Sequence, residues 1–161
     1  MKVAISGASG FLGQALIRVL GDEPSRYEIV RLSQSDPGYA KATRLAARLE
    51  GVDAVVHLAG IAHTKGFQDS AYHEAIVTLT EKLKQASETA GCRRFLFAST
   101  IKVFGSRSLH DSPLDELQPC KPEDAYGSCK LKAEQFLESH SGKATPTIFR
   151  FPPLIGDGAR G

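Results

Sequence analysis

Three glycines at three-residue spacing, Gly7, Gly10 and Gly13, stand directly behind a short apolar run at the start of this chain. Residues 2–6, centred on Val3, Ala4 and Ile5, read as a buried strand. Beyond the glycines, Phe11, Leu12, Ala15, Leu16, Val19 and Leu20 recur at helical spacing. Strand, glycine turn and helix, in that order, form the context that a dinucleotide-phosphate loop requires. Gly7 lets the chain turn sharply out of the strand, Gly10 lets backbone N–H groups approach a pyrophosphate, and Gly13 lets the helix pack closely on the sheet. The anion sits at the helix N-terminus, where unpaired N–H groups and the macrodipole favour negative charge. Gly7, Ser9, Gly10, Phe11, Leu12 and Gly13 are therefore the expected phosphate-side residues. The spacing is GxxGxxG and differs from the GxGxxG of the dinucleotide-binding dehydrogenase fingerprint.

The chain has 161 residues, enough for one domain with a real core. Its 20 basic and 18 acidic residues are interspersed and sum to a net charge of +2, with no basic stripe, so nucleic acid and anionic membranes are not expected partners. Cys92, Cys120 and Cys129 are odd in number and lack CxxC pairing. That pattern argues against a disulfide framework or a zinc site and fits a reducing cytoplasm. The five histidines are scattered, and no metal site is expected. Glycines interrupt any signal-like run at the N-terminus, and no segment approaches the ~18 apolar residues of a membrane span.

Further strands are expected at residues 27–32, 53–58, 94–99 and 146–151, and helices at 40–49, 70–90 and 125–139. The first helix is expected to end near Leu20 with Gly21 as its cap. Strands alternating with helices imply an α/β fold: a doubly wound parallel sheet, Rossmann-like, with helices on both faces. The loop over residues 101–124 is long and polar, a pattern that usually carries function or disorder. An acidic residue about 20 positions past the glycines normally binds the adenosine ribose of NAD. The second strand instead ends Arg31, Leu32, Ser33, Gln34, Ser35, and Asp36 comes late. This leaves NADP open, with Arg31 either a 2′-phosphate partner or a solvated strand residue.

Tyr126 and Lys130 lie four apart in an expected helix and so share a face. A tyrosine is a poor acid or base at neutral pH, because its pKa is ~10; bringing it to ~7 needs about 4 kcal/mol of differential stabilisation. A nearby ammonium can supply part of that. Thr100 follows directly on the strand at 94–99, at the carboxyl edge where ligands bind in such sheets. Each signal also has a plain structural reading: a glycine-rich turn, an exposed helix face, a strand end capped by hydroxyls.

Their order carries more weight. SGASGFLG, HLAG at His57, STIKVFG at Ser99, YGSCK at Tyr126 and RFPPLIG at Arg150 together resemble the extended short-chain dehydrogenase/reductase superfamily, and within it the NAD-dependent epimerase/dehydratase family. They look most like bacterial UDP-glucose and UDP-N-acetylglucosamine 4-epimerases. The resemblance implies Thr100, Tyr126 and Lys130 as the catalytic set. It also implies cofactor contacts at Leu58, Ala59, Gly60, Ser99, Tyr126, Lys130, Phe151 and Pro152. It implies NAD as cofactor, a UDP-sugar as substrate, and a homodimer packed through residues 70–90 and 125–139, with Leu131, Ala133, Phe136 and Leu137 as apolar surface. The reaction implied is oxidation and re-reduction of the sugar at C4. A 4-keto-sugar reductase, or a dinucleotide-binding protein without chemistry, are the alternatives. Relatives that dehydrate sugars carry Asp-Glu after the Thr of the ST segment; here Ile101 and Lys102 stand there, which argues against dehydration.

The match departs from the family in two further places. The Asn usual in the long helix falls on Ile76, and the adenine-side strand expected between Ser33 and Asp53 has no counterpart. The chain, ending at Gly161, is expected to be one dinucleotide-binding domain, residues 1–161, without the carboxyl-terminal region that holds the nucleotide-sugar in relatives.

Overall fold

A computed structural model describes residues 1–33, 42–61, 69–105, 114–140, 142–156 and 158. Five parallel strands form one sheet: β1 (Lys2–Ser6), β2 (Glu28–Leu32), β3 (Ala54–His57), β4 (Arg94–Thr100) and β5 (Thr145–Phe151), in the order β2-β1-β3-β4-β5. The helices are α1 (Phe11–Gly21), α2 (Ala42–Arg48), α3 (Asp69–Tyr72), α4 (Leu79–Thr89) and α5 (Ala125–Ser139). A π-helical turn, His73–Thr78, joins α3 to α4, and a 3-10 turn, Ile101–Phe104, follows β4. The apolar runs become strands because parallel strands are covered on both faces: Val3, Ala4 and Ile5 are all buried.

From β1 the chain steps one way to β2, and every later crossover steps the other way. Right-handed crossovers therefore put α1 on one face and α2, α4 and α5 on the other. On the second face α2 packs against α4 and α4 against α5. The core lies there, built from Val55, Leu83, Phe95, Phe97, Ala133 and Leu137, among others. Ala133 and Leu137 are fully buried in it, so they are not surface for a second copy of the chain; Leu131 and Phe136 are half-buried. On β5 Phe149 is 43% exposed.

Most elements fall where the sequence puts them, and the departures have local causes. Gly21 is the last residue of α1, and the right-handed Asp22 caps it, so no left-handed turn is made. The helix expected at 70–90 is one continuous run interrupted by the π turn. Among the described residues no strand lies outside β2. Residues 34–41, with Asp36, fall outside the described residues.

One buried ion pair fastens the lower edge of the sheet. Lys84 on α4 is fully buried, and its Nζ donates to Glu88 and to the Ala144 carbonyl, 2.7 Å away. The Glu88 carboxylate in turn accepts from the backbone N–H groups of Lys143 and Ala144, at 2.7 and 3.2 Å, and so clamps the start of β5 to α4. Glu88→Ala leaves a buried ammonium without its counter-charge and is expected to cost roughly 3 kcal/mol in urea unfolding, more than Lys84→Met, which removes the charge itself. Equal costs for the two variants would show that the pair is not what fastens this edge.

Candidate active site

The carboxyl edge of the sheet is shaped by one close backbone approach. Gly7 leaves β1 with φ +74°, and a Cβ built on it would stand 2.6 Å from Ala59 N and 2.7 Å from Leu58 C. Only glycine fits. A Cβ on Gly13 would stand 2.2 Å from the Gly7 carbonyl oxygen, so the first turn of α1 is pressed onto the same loop. Gly10 N–H donates to Gly7 O at 2.9 Å. Gly10 occupies the N-cap position of α1, where it offers no side-chain acceptor, and the first turn carries no acidic residue. The positive end of the helix is thus left for an anion.

A cleft of about 420 Å³ opens over this loop, lined by Gly7, Ala8, Ser9 and Gly10, by Arg31, Leu32 and Ser33, and by Leu58, Ala59 and Gly60. A loop with no room for side chains, next to helix N–H groups without acidic neighbours, fits the pyrophosphate of a dinucleotide. Phe11, Leu12 and Gly13 form the first turn of α1 behind it, and the Phe11 ring packs near Gly156, where a Cβ would come within 3.1 Å. At the tip of β2 the Arg31 carbonyl accepts from the Arg48 guanidinium at 3.1 Å.

Gly60, at the edge of the cleft, lies next to α5. Asp124 caps this helix, its Oδ1 accepting from Gly127 N–H at 2.6 Å, and its other oxygen pairs with Lys102 Nζ at 3.0 Å. Tyr126 and Lys130 share the face of α5 turned toward the sheet. Lys130 Nζ donates to the Ala98 carbonyl at 2.7 Å and lies 4.6 Å from the centroid of the Phe97 ring. A Cβ on Gly60 would stand 3.7 Å from Lys130 Nζ and 3.8 Å from the Ile76 side chain, so both buried residues lie next to Gly60, and neither lines the cleft. Burial lowers the Lys130 pKa to about 8, against the raising effect of the Glu134 carboxylate.

Tyr126 is edge-on to the buried Tyr72, with centroids 6.0 Å apart. Its phenol is held above its ordinary pKa, first by burial, then by the nearby Asp124 carboxylate and Tyr72. The sequence suggests instead that the lysine ammonium lowers it. The difference lies in where the ammonium points: it sits 5.9 Å from the centroid of the Tyr126 ring and bonds to Ala98 O.

Thr100 ends β4 opposite Phe151, and its Oγ1 accepts from Lys102 N–H at 3.3 Å, capping the 3-10 turn. Ser99 points elsewhere. Successive residues of a strand face opposite sides, and Ser99 Oγ donates to the buried Glu134 of α5 rather than reaching the cleft. Phe151 stacks on Phe149, with centroids 5.9 Å apart, and Pro152 is exposed; neither lines the cleft.

Two features of this region escape the sequence reading. Glu134, one turn beyond Lys130 on the same face, holds Arg150 through Nη2 at 2.7 Å and Nε at 3.1 Å. Arg150 also lies 4.9 Å from the Phe104 ring centroid and donates to Glu116 O at 3.0 Å, tying Phe104 and Glu116 to β5. The four-residue spacing of Tyr126, Lys130 and Glu134 is the signal that could have found it. The second is a buried histidine: His57 contacts both Ser6 and Thr80. Among the described residues no cluster of His, Cys, Asp and Glu is placed to hold a metal, and no helix is long and apolar enough to cross a membrane.

This geometry has parallels among known proteins. The chain is 30% identical to N-acetyl-alpha-D-glucosaminyl-diphospho-ditrans,octacis-undecaprenol 4-epimerase of Escherichia coli O157:H7, over 99% of this chain and 51% of that protein. It is 27% identical to dTDP-D-glucose 4,6-dehydratase of Mus musculus, over 96% and 48%. The chain thus spans about half the length of these curated relatives. A short-chain dehydrogenase/reductase superfamily protein from Agrobacterium tumefaciens, solved with bound NAD, superposes with a TM-score of 0.79 at 27% identity, over 93% of this chain and 48% of that one. The family model covers residues 3–161 from first strand to last, and the chain belongs to the NAD dependent epimerase/dehydratase family.

Proposed function

We propose that this chain is the cofactor-binding part of an NAD-dependent 4-epimerase acting on a nucleotide-sugar, with UDP-sugars the favoured class. The observation that carries the reading is the cleft itself: the glycine cradle and the Leu58–Gly60 edge line one cavity, and the buried Lys130 ammonium lies next to Gly60 at its edge. Its residues hold a dinucleotide with the pyrophosphate over Gly7–Gly10, the adenosine ribose toward Arg31–Ser33 and the nicotinamide ribose toward Lys130. NAD bound there supplies a reversible hydride acceptor for C4 of the sugar.

The chain's own part is proton handling. The Tyr126 hydroxyl, as its conjugate base, takes the proton of the C4 hydroxyl and later returns it. Thr100 shares that hydrogen bond from the end of β4. Lys130 contributes positive charge at the foot of the pair. The residues after Thr100, Ile101 and Lys102, offer no acid/base couple for expelling water, which favours epimerisation over dehydration. Pairing of two copies along α5, at the half-buried Leu131 and Phe136, completes the proposal, and the free thiols suit a reducing cytoplasm.

Three outcomes test it. A Cβ on Gly10 would meet Gly7 O at a tight 3.3 Å and nothing else within 4 Å, so a side chain there asks only a small local adjustment of the loop, and Gly10 lines the cleft. Gly10→Val is therefore expected to keep its thermal unfolding transition and to weaken NAD binding by calorimetry at least tenfold, as a side chain fills the path of the pyrophosphate. Unchanged binding would remove the cradle from the site.

Tyr126→Phe in the full-length protein is expected to lower turnover of a UDP-sugar by about 10²–10⁴-fold, the usual worth of a positioned acid/base group. A variant that keeps most of its rate would refute the role given to Tyr126.

The third outcome concerns pH. The folded-state pKa of Lys130, about 8, lies below its ordinary value of 10.5. Between those values the unfolded chain keeps a proton that the folded chain has released. Stability from this group is thus present above pH 10.5 and lost as pH falls through 8. The wild type should gain up to about 3 kcal/mol over that window relative to Lys130→Met, on the scale of 1.36 kcal/mol per unit. Parallel stability curves for the two proteins would mean that Lys130 is not desolvated.

A further inference from the structure

His57, at the carboxyl end of β3, is fully buried, and both ring nitrogens are engaged. Nδ1 lies 2.7 Å from Ser6 Oγ on β1, and Nε2 lies 3.1 Å from Thr80 Oγ1 on α4. Thr80 has one hydroxyl proton, and it donates that proton to the Ile76 carbonyl at 2.6 Å. Toward His57 it can only accept, so Nε2 carries the imidazole proton. Nδ1 is then the acceptor, and Ser6 O–H donates to it. Ser6 Oγ in turn accepts from Ala59 N–H at 3.3 Å. The inventory of donors and acceptors leaves no other assignment for a neutral ring.

The result is a directed chain of hydrogen bonds: Ala59 N–H to Ser6, Ser6 to His57, His57 to Thr80, Thr80 to the Ile76 carbonyl. One end is the peptide that Gly7 approaches most closely. The other is the π turn of the long helix, at the residue that flanks Gly60 beside Lys130. π turns leave irregular backbone groups, and they recur at functional sites; here the Thr80 hydroxyl occupies the Ile76 carbonyl. The ring centroids of His57 and Phe97 lie 5.5 Å apart with the planes tilted by 42°, and the Lys130 ammonium lies over that same Phe97 ring. Burial first, and repulsion from the Lys130 ammonium second, keep the imidazole neutral and the chain's direction fixed.

We propose that His57 is a positioning residue: as a single neutral tautomer it couples the Ala59 edge of the cleft to the π turn carrying Ile76, so that the cofactor cradle and the wall beside Lys130 hold one fixed spacing. The coupling stands on the hydrogen-bond chain alone; its effect on NAD rests on the cofactor reading given above. Unlike a helix packed only by apolar contact, this one is registered to the sheet by hydroxyls of defined direction.

The test uses the chain as it is, with ¹⁵N-histidine labelling, amide hydrogen exchange and NAD calorimetry on wild type, Thr80→Val and Thr80→Ser. In wild type, His57 should give one neutral Nε2–H tautomer, unchanged between pH 7 and 5, with a slowly exchanging ring N–H. Thr80→Val keeps the shape and deletes the hydroxyl. It should release the tautomer lock, speed exchange of the Ala59 amide about tenfold and weaken NAD about tenfold, the scale of one lost buried hydrogen bond. Thr80→Ser should restore all three. A wild-type Nδ1–H tautomer, or a Thr80→Val protein with wild-type ring shifts and Ala59 exchange, would overturn the proposal. If the wild type binds no NAD, the cofactor reading fails, while tautomer and exchange still decide the coupling. If Thr80→Val does not fold, the wild-type tautomer and the response of Ala59 in Thr80→Ser decide it.

Discussion

The contact between Gly7 and the Leu58–Ala59 peptide is the constraint on which the site depends. It sets how near the ends of β1 and β3 can come, and it requires both a missing side chain and a left-handed backbone at one residue. The pairing of Ser6 with His57 in the ladder, and the bond from Leu58 N–H to Ser6 O at 3.1 Å, bring the two strand ends level. Once they are level, α1 must start close to the sheet, and Gly13 makes that possible. The cleft is the space left when these backbones approach without side chains. Its shape therefore belongs to the main chain, which is why a phosphate group is the natural occupant.

The polar groups buried on the helix-covered face show a second division, between scaffold and site. Lys84, His57, Glu134 and Lys130 are all buried there, and burying a charge is costly unless it is paired. Lys84 has a carboxylate and a carbonyl; Glu134 has an arginine and a serine; His57 stays neutral between two hydroxyls. Lys130 has a carbonyl and the face of a phenylalanine, with no carboxylate in direct contact among the described residues. It is the incompletely compensated member of the set, and its pKa falls accordingly. Such incomplete compensation supports the role proposed for Lys130 on grounds independent of the YxxxK spacing.

Much of this was legible in the residues, and the limits are physical. Apolar runs of four to seven residues fixed the strands because both sheet faces are covered, and the glycine spacing located the cradle. Direction was harder to read. The four-residue step from Tyr126 to Lys130 fixes a shared face but not where a four-carbon stem carries its ammonium. Strand alternation, by contrast, already implied that Ser99 and Thr100 point apart. The π turn leaves little trace, because one extra residue in a helix of 21 shifts the apolar stripe without erasing it. The chain His57–Thr80–Ile76 depends on that shift, so it could be seen only in three dimensions.

The electrostatics of Tyr126 and Lys130 run counter to the simplest account of such a pair. Burial pushes both toward their neutral forms: the phenol pKa rises and the ammonium pKa falls to about 8. Their titrations are thus driven apart, the ammonium giving up its proton before the phenol, and Asp124 adds negative charge on the side of the tyrosine. With the ammonium bonded to Ala98 O, the phenolate gains little from it, and in this arrangement Tyr126 rests protonated. Lowering its pKa to ~7 takes at least the ~4 kcal/mol that an unperturbed tyrosine needs, plus the burial cost. That difference has to come from positive charge brought into the cleft, or from Lys130 turning from the Ala98 carbonyl toward the phenol oxygen. In the role proposed for Tyr126, the phenol therefore stays protonated until that positive charge arrives, which ties proton abstraction to ligand binding through electrostatics.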